Sequence, residues 1–151
     1  EISDLARELR GKLLYNHVST ATRAVAQTRF KALKAGQNFH DLKNELKSTY
    51  SDAERTQNTI YMRLRYDEPS GTVVNVRKSM WIHPELDRAI SIREAARLQT
   101  FPDSFIFEGT KDSQYQQVGN AVPPFLAKAI AMSIADALKS KDNNNKKRNS
   151  L

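Results

Sequence analysis

Residues 117–124, which read Gln-Val-Gly-Asn-Ala-Val-Pro-Pro, most constrain how this chain can fold. Gly119 permits backbone angles that other residues disfavour, and Asn120 also tolerates unusual angles. Proline is accepted in the first turn of a helix, and an apolar helix is predicted over residues 125–138. A turn at a helix start can present backbone N–H groups to a ligand. Two interpretations stay open here: a plain connector, which the local pattern favours, and a ligand-facing turn.

The composition is that of one soluble globular domain with a modest core. The chain has 151 residues, of which 39% are hydrophobic and 27% charged. It has no cysteine, which excludes disulfides, thiolate metal sites and a cysteine nucleophile within it. Its three histidines lack metal-ligand spacing, so no metal site is predicted. No apolar run reaches the roughly 20 residues of a membrane span, and no secretory signal pattern is present.

The formal net charge of +7 suits a polyanionic partner such as a nucleic acid. Residues 139–151 contain five basic residues and one acidic residue, a net +4 that leaves +3 for the rest of the chain. That terminal segment has nothing to bury, so it is expected to be a disordered basic tail. Such a tail can touch phosphates without sequence specificity, but a solvated tail is favoured.

Residues 1–58 are expected to form a helical lead-in. Leu5 and Leu9 recur at helical spacing after a capping serine at Ser3. A second helix is expected to close at Gly36, and Asp41 is expected to cap a short third helix.

The hydrophobic period changes to two in residues 59–66, Thr-Ile-Tyr-Met-Arg-Leu-Arg-Tyr, which predicts a strand with one buried face. A turn at residues 67–71 and a second strand at residues 72–76 would make residues 59–90 a β-hairpin or short antiparallel sheet. Its outer face would carry Arg63 and Arg65, followed by Arg77 and Lys78. Basic and aromatic side chains together are typical of a nucleic-acid surface, although arginines on the wet side of a hairpin are equally ordinary.

Residues 91–138 complete the predicted fold. Ser91 and Glu94 have capping-box spacing, so a helix is expected over residues 92–99. Arg93 and Arg97 lie on this helix, where a structural ion-pair cluster is favoured over phosphate contact. The fold class is therefore α+β: a small mixed lobe around a β-hairpin, with a helical lead-in and a long C-terminal helix.

Two stretches resemble shared motifs of the DNA cytosine-5 methyltransferases. Residues 88–103, Arg-Ala-Ile-Ser-Ile-Arg-Glu-Ala-Ala-Arg-Leu-Gln-Thr-Phe-Pro-Asp, resemble the ninth motif, and residues 117–124 resemble the tenth, in the family's order and spacing. Residues 66–74 resemble the end of the family's target-recognition region, and residues 1–58 less specifically its start. The chain therefore resembles the C-terminal third of such an enzyme, a fragment of a larger α/β protein.

The resemblance implies roles for particular residues. The tenth motif helps to wall the S-adenosylmethionine pocket of the family, which implies that the cofactor lies near Asn120, Ala121 and Val122, with Gln117 and Gly119 shaping the turn. The ninth motif organises the recognition domain, which implies a scaffold role for Arg93, Glu94 and Arg97. Base or phosphate contacts are expected from residues assigned by position and charge rather than by a shared motif: Arg63, Arg65, Arg77 and Lys78.

The family attacks cytosine with the thiolate of a Pro-Cys motif after flipping the base out of the duplex. This chain has no cysteine, no glycine-rich cofactor loop, no Glu-Asn-Val motif and no Gln-x-Arg-x-Arg motif. It is therefore expected to have no catalytic residue and no activity alone, and to bind S-adenosylmethionine weakly or not at all. Because it begins with glutamate, it is expected to be an excised fragment, or else the smaller subunit of a split enzyme.

The expected partners are double-stranded DNA, an N-terminal catalytic domain or subunit and, through the apolar C-terminal helix, a second copy. No membrane partner is expected, and the resemblance implies a bacterial-type cytoplasmic protein associated with the nucleoid. Two alternatives stay open. One is a free-standing DNA-binding or regulatory module derived from such an enzyme, and the other is a scaffold that makes no DNA contact.

Overall fold

The computed structural model describes residues 3–74 and 76–148, with the side chains of Val76 and residues 142–148 left undescribed. The chain divides into two compact units, Glu1–Ala121 and Val122–Leu151. In the described part the elements are α1 (Asp4–Leu9), α2 (Ala24–Ala32), a 3₁₀ helix (Phe39–Asp41), α3 (Asn44–Lys47), α4 (Val76–Ser79), α5 (Ile92–Leu98), α6 (Lys111–Asn120) and α7 (Pro124–Arg148).

Capping side chains begin several of these helices, and those of α1 and α5 were predicted. Ser3 accepts a hydrogen bond from the Ala6 N–H at the start of α1. Ser91 and Glu94 form a reciprocal capping box at the start of α5, and Thr110 caps α6. These side chains satisfy N–H groups that have no partner within the helix.

The predicted cap at Asp41 is wrong, because Asp41 ends the 3₁₀ helix and α3 has no side-chain cap. The second helix ends at Ala32 and not at Gly36.

The predicted β-hairpin and antiparallel sheet are wrong. Residues 3–74 and 76–148 contain no strand and only two isolated bridges, Arg63↔Ile82 and Ile82↔Ala89. The predicted second strand is irregular up to residue 74 and is followed by α4, while Asn75 lies outside the described residues. The predicted fold class α+β is therefore wrong, because the described residues form no sheet. The described part of the lobe is built from short helices and irregular segments.

The alternating pattern failed because both faces of residues 60–64 are buried. Met62 and Leu64 pack against one hydrophobic cluster, while Tyr61 belongs to another. Tyr61 has a left-handed φ of +54°, which interrupts an extended strand. Arg63, expected on the wet face, is only 4% exposed. Alternation predicts a strand only where one face meets water.

Backbone hydrogen bonds still hold this segment between two neighbours. On one side, the Phe39 N–H donates to the Ile60 carbonyl and the Arg63 N–H to the Gln37 carbonyl. On the other side, the Ile82 N–H donates to the Met62 carbonyl over 2.8 Å. The buried main chain is therefore satisfied without a regular ladder.

Two hydrophobic clusters form the core of the first unit. The first surrounds Trp81 and Tyr115 and includes buried side chains of α5 and α6. The second joins Phe30 of α2 to Phe39 and Tyr61, and the rings of Phe30 and Phe39 both contact the ring of Tyr61. Phe107 is buried, whereas Phe105 is 46% exposed.

The Gly119-Asn120 pair is helical rather than a turn. Both residues lie at the end of α6, which continues because Tyr115 and Val118 are buried on one helix face. The chain breaks at residues 121–123, and Pro124 opens α7 as expected of a first-turn proline.

Helix α7 is apolar along much of its length and extends to Arg148. Residues 139–148 of the predicted disordered tail are therefore helical, and residues 149–151 lie outside the described residues. One stretch, Lys111–Lys141, is long and apolar enough by length and composition to cross a membrane, although core helices of soluble proteins pass the same test.

Gly36 provides a test of the lobe's packing. Its φ is +82°, and an added Cβ would lie 2.3 Å from Arg65 Nε, so the guanidinium would have to move. We expect Gly36→Ala to lower the free energy of unfolding by about 1–3 kcal/mol, mainly through backbone strain. Gly71→Ala is the matched control, because nothing lies within 4 Å of its added Cβ. Urea denaturation measures both, and equal stabilities would contradict the prediction.

Candidate functional site

Arg93 is the centre of the cluster built on α5. Its side chain is fully buried, and Nε donates to the Tyr15 carbonyl over 2.8 Å. Nη1 donates to the Pro102 carbonyl over 2.9 Å, and Nη2 donates to the carbonyl of Phe105. Burial lowers the pKa of Arg93 from its ordinary value, and the nearby Asp103 opposes that change. The guanidinium thus ties α5 to two irregular segments of the chain.

Asn16 is hydrogen-bonded to Arg93. Sequence reasoning missed this residue, because the only local signal at its position was a break between helices. It has a left-handed φ of +57°, which asparagine tolerates. Its side-chain amide donates to the Phe107 carbonyl over 2.8 Å, and its Oδ1 accepts from the Phe107 N–H over 3.0 Å. Its backbone carbonyl accepts from the Arg93 N–H. Only the tertiary structure brings these distant segments together.

Glu94 pairs with Arg88 through two hydrogen bonds of 2.7 Å. Burial alone would raise the pKa of Glu94, but hydrogen bonds from Arg88 and the Ser91 N–H outweigh it and lower the pKa to about 2. The His83 Nε2 lies 3.9 Å from the same carboxylate. His83 Nδ1 accepts from the Glu85 and Leu86 N–H groups, which leaves Nε2–H facing Glu94.

Arg97 completes the ion-pair cluster with Asp103. Arg97 donates two hydrogen bonds of 2.8 and 2.7 Å to the carboxylate, which also accepts from the Gly11 N–H. Asp103 is buried, and the hydrogen bond from Arg97 lowers its pKa despite the opposing effect of burial. Arg88 and Arg97 thus make structural ion pairs of the kind that the sequence favoured, whereas Arg93 donates to backbone carbonyls instead.

The four predicted DNA-contact residues fall in two environments. Arg63 is buried and donates to the Phe30 and His83 carbonyls and to the Asp87 carboxylate. The other three are exposed: Arg65, Arg77 and Lys78. Arg65 donates to Glu68 over 2.6 Å, and Arg77 forms an ion pair with Asp112. Arg63 is thus committed to internal contacts, and the exposed residues keep charge at the surface.

The residues expected near the cofactor lie at the end of α6 and beyond it. Asn120 is exposed, Ala121 is half-buried, and Val122 is 61% exposed. The Gln117 side chain donates to the Glu108 carbonyl over 2.9 Å, and Gly119 lies in the last turn of the helix. Among the described residues, no group of three His, Asp or Glu side chains is arranged to hold a metal ion.

Comparison with known proteins assigns the chain to a family. The profile described as "C-5 cytosine-specific DNA methylase" matches residues 2–136, most of the chain. The chain belongs to the C-5 cytosine-specific DNA methylase family. Proteins of this family are methyltransferases that act on DNA cytosine and use S-adenosylmethionine.

Similar proteins include several bacterial type II methyltransferases. The type II methyltransferase M.DdeI of Desulfomicrobium norvegicum is 37% identical over 135 residues, covering 81% of this chain and 32% of that protein. M1.HphI of Haemophilus parahaemolyticus is 37% identical over 122 residues, covering 81% of this chain and 31% of that protein. M.AgeI of Thalassovita gelatinovora is 49% identical over 81 residues, covering 52% of this chain and 19% of that protein. The methylase-family chain thus spans about a third or less of these relatives' length.

The low pKa of Glu94 predicts a pH dependence of stability. Because its folded pKa of about 2 lies below its ordinary 4.5, Glu94 stabilises the fold above about pH 4.5 and loses this effect as the pH falls towards 2. The difference corresponds to about 3 kcal/mol. We expect Glu94→Gln to be less stable than wild type at pH 7, with the gap closing at acid pH. Urea denaturation across this range measures it, with exposed Glu108→Gln as control; a constant gap would contradict the prediction.

Arg63 and Arg65 form a second matched pair. Arg63→Met leaves buried carbonyls and Asp87 without their donor, so we expect the free energy of unfolding to fall by about 3 kcal/mol or more. Arg65→Met removes an exposed ion pair, and we expect a loss of no more than about 1 kcal/mol. Chemical denaturation distinguishes them, and an Arg63→Met protein as stable as Arg65→Met would contradict the buried role.

Proposed function

We propose that this chain supplies target recognition and one wall of the S-adenosylmethionine site for a DNA cytosine-5 methyltransferase. The observation that supports the proposal is that residues 88–103 and residues 117–121, the first part of the second motif-like stretch, belong to one compact unit. The Tyr115 hydroxyl of α6 donates to the Ile90 carbonyl over 3.0 Å, and the Gln99 side chain donates to the Val118 carbonyl over 3.0 Å. Residues 88–103 and the end of α6 are therefore joined directly by hydrogen bonds.

The reaction of the complete enzyme would be methyl transfer from S-adenosylmethionine to carbon 5 of cytosine in DNA. The printed names of the bacterial relatives, all type II methyltransferases, support a place in restriction–modification. We further propose that the enzyme acts in the cytoplasm, on the nucleoid. The chain would act as the C-terminal fragment or the small subunit of a split enzyme. Since it has no cysteine, the nucleophile of this chemistry must come from another part of the enzyme.

For DNA recognition we favour the exposed cations over the buried one. Arg65, Arg77 and Lys78 are exposed, and contacts to base edges or phosphates require such access. The ion pairs of Arg65 with Glu68 and Arg77 with Asp112 are solvent-accessible, so exchanging the carboxylate for a phosphate costs little. Arg63 would instead hold the irregular segments beneath this surface.

For the cofactor we propose that Asn120, Ala121 and Val122 line one edge of the pocket. The exposure of Asn120 and Val122 leaves them accessible to a ligand. One edge alone buries little of a ligand's surface, so binding by the chain alone would be weak or absent.

The apolar face of α7 supports a further protein partner. Leu126, Ile130, Ile134 and Leu138 recur at four-residue spacing, and each is about half exposed or more. An exposed apolar stripe of this kind favours association. We propose that it is covered by the N-terminal catalytic part of the enzyme or, in the isolated chain, by a second copy.

Methyl transfer tests the proposal. We expect no incorporation of radiolabelled methyl groups into mixed duplex DNA by the chain alone. We expect incorporation when it is combined with the part of M.DdeI that lies outside the matched region. We also expect the chain alone to bind duplex DNA with an affinity that falls as salt rises.

The outcomes separate the parts of the proposal. Turnover by the chain alone would overturn its dependence on a partner. Failure of the combined proteins to transfer methyl groups would count against completion of an active site. Salt-insensitive or undetectable DNA binding would remove the recognition role and favour a scaffold.

A further inference from the structure

Gln99 makes hydrogen bonds at the C-terminal ends of two helices, α5 and α6. Its backbone N–H donates to the carbonyls of Ala95 and Ala96, which ends α5. Its side-chain amide donates to the Val118 carbonyl over 3.0 Å and to the Ala121 carbonyl over 3.5 Å, which ends α6. The residue is 6% exposed, so water has little access to compete for these groups.

The end of α6 needs such a donor. The last carbonyls of a helix have no partner within it, and Val118 is fully buried. A second donor to the Val118 carbonyl is the Ala121 N–H, at a longer 3.3 Å. The Gln99 amide therefore anchors both the last buried turn of α6 and the residue at which the chain leaves that helix.

The main chain of Gln99 is itself held firmly. The next residue, Thr100, has a left-handed φ of +61°, and the Phe101 N–H donates to the Ala96 carbonyl over 3.0 Å. These hydrogen bonds fix the backbone position of Gln99 at the end of α5. The same helix carries Arg93 and Glu94.

We infer that Gln99 is a positioning residue for the cofactor edge, an inference that rests on the proposed function. It acts through the Val118 and Ala121 carbonyls and sets the place of Asn120 between them. The ion-pair cluster of α5 is thereby coupled to the residues proposed to face S-adenosylmethionine. Loss of the amide donor should weaken cofactor binding more than it affects the chemistry or the DNA.

The test uses the combined methyltransferase and three variants. Gln99→Met keeps a similar volume without a donor, and Gln99→Glu keeps the shape but turns an acceptor towards the carbonyls. Gln116→Ala, at an exposed position of α6, is the control. For Gln99→Met we expect the KM for S-adenosylmethionine to rise about fivefold, as for loss of one buried hydrogen bond. The rise should be larger for Gln99→Glu, with kcat and the KM for DNA within about twofold of wild type.

A measurement on the isolated 151-residue chain is independent of activity. Amide hydrogen exchange of residues 118–121 should accelerate in Gln99→Met, while exchange in α2 stays unchanged. A purely structural role would instead lower the folded fraction, and so reduce kcat without changing either KM.

The results separate the two claims. No transfer by the wild-type combination overturns the proposed function, and the role of Gln99 with it. Normal wild-type transfer together with an unchanged KM for S-adenosylmethionine in both Gln99 variants overturns only the role of Gln99. The same holds if exchange at residues 118–121 is unaffected.

Discussion

The structure of the first unit depends on the buried guanidinium of Arg93. In the described part of this lobe no strand provides a ladder, so the carbonyls of the irregular segments need other donors. Arg93 supplies them to Tyr15, Pro102 and Phe105, and a guanidinium has five N–H donors in a rigid fork suited to this. Removing it would leave several buried acceptors without a partner at once.

The same solution recurs in the second hydrophobic cluster. Arg63 donates to the carbonyls of Phe30 and His83, and Arg29 donates to the Leu46 carbonyl and the Tyr61 hydroxyl. The Arg29 guanidinium also lies 5.3 Å from the centre of the Tyr61 ring, a cation–π contact. Buried arginines thus replace sheet hydrogen bonds in holding the segments together. Positive charge seen in the sequence is therefore partly internal and is unavailable to DNA.

Helix α5 shows why these contacts matter for the proposed function. At seven residues it is too short to be stable alone, so its position depends on tertiary partners. Two ion pairs hold it, Arg88 with Glu94 and Asp103 with Arg97. The Gln99 side chain then joins the end of α5 to α6 by a hydrogen bond. The proposed cofactor edge at the end of α6 is thus joined through Gln99 to a helix that is itself held by ion pairs.

Local signals in the sequence predicted some helix starts correctly and others wrongly, such as the cap expected at Asp41. Ser3 and the Ser91–Glu94 capping box begin helices as expected, because a cap is decided within four residues of chain. Pro124 opens α7 for the same reason. The hairpin failed because alternation does not show whether the second face meets water, and Tyr61 and Arg63 face another cluster instead.

The sequence alone indicated the family, through residues 88–103 and 117–124, and it determined the helix starts at Ser3, Ser91 and Pro124 and the lack of cysteine in this chain. Tertiary structure alone decided that Arg63 is internal and that Asn16 and Gln99 join distant segments. The physical reason is range. A cap or a motif is read between neighbouring residues, whereas a buried polar group is defined by acceptors that lie tens of residues away in the chain.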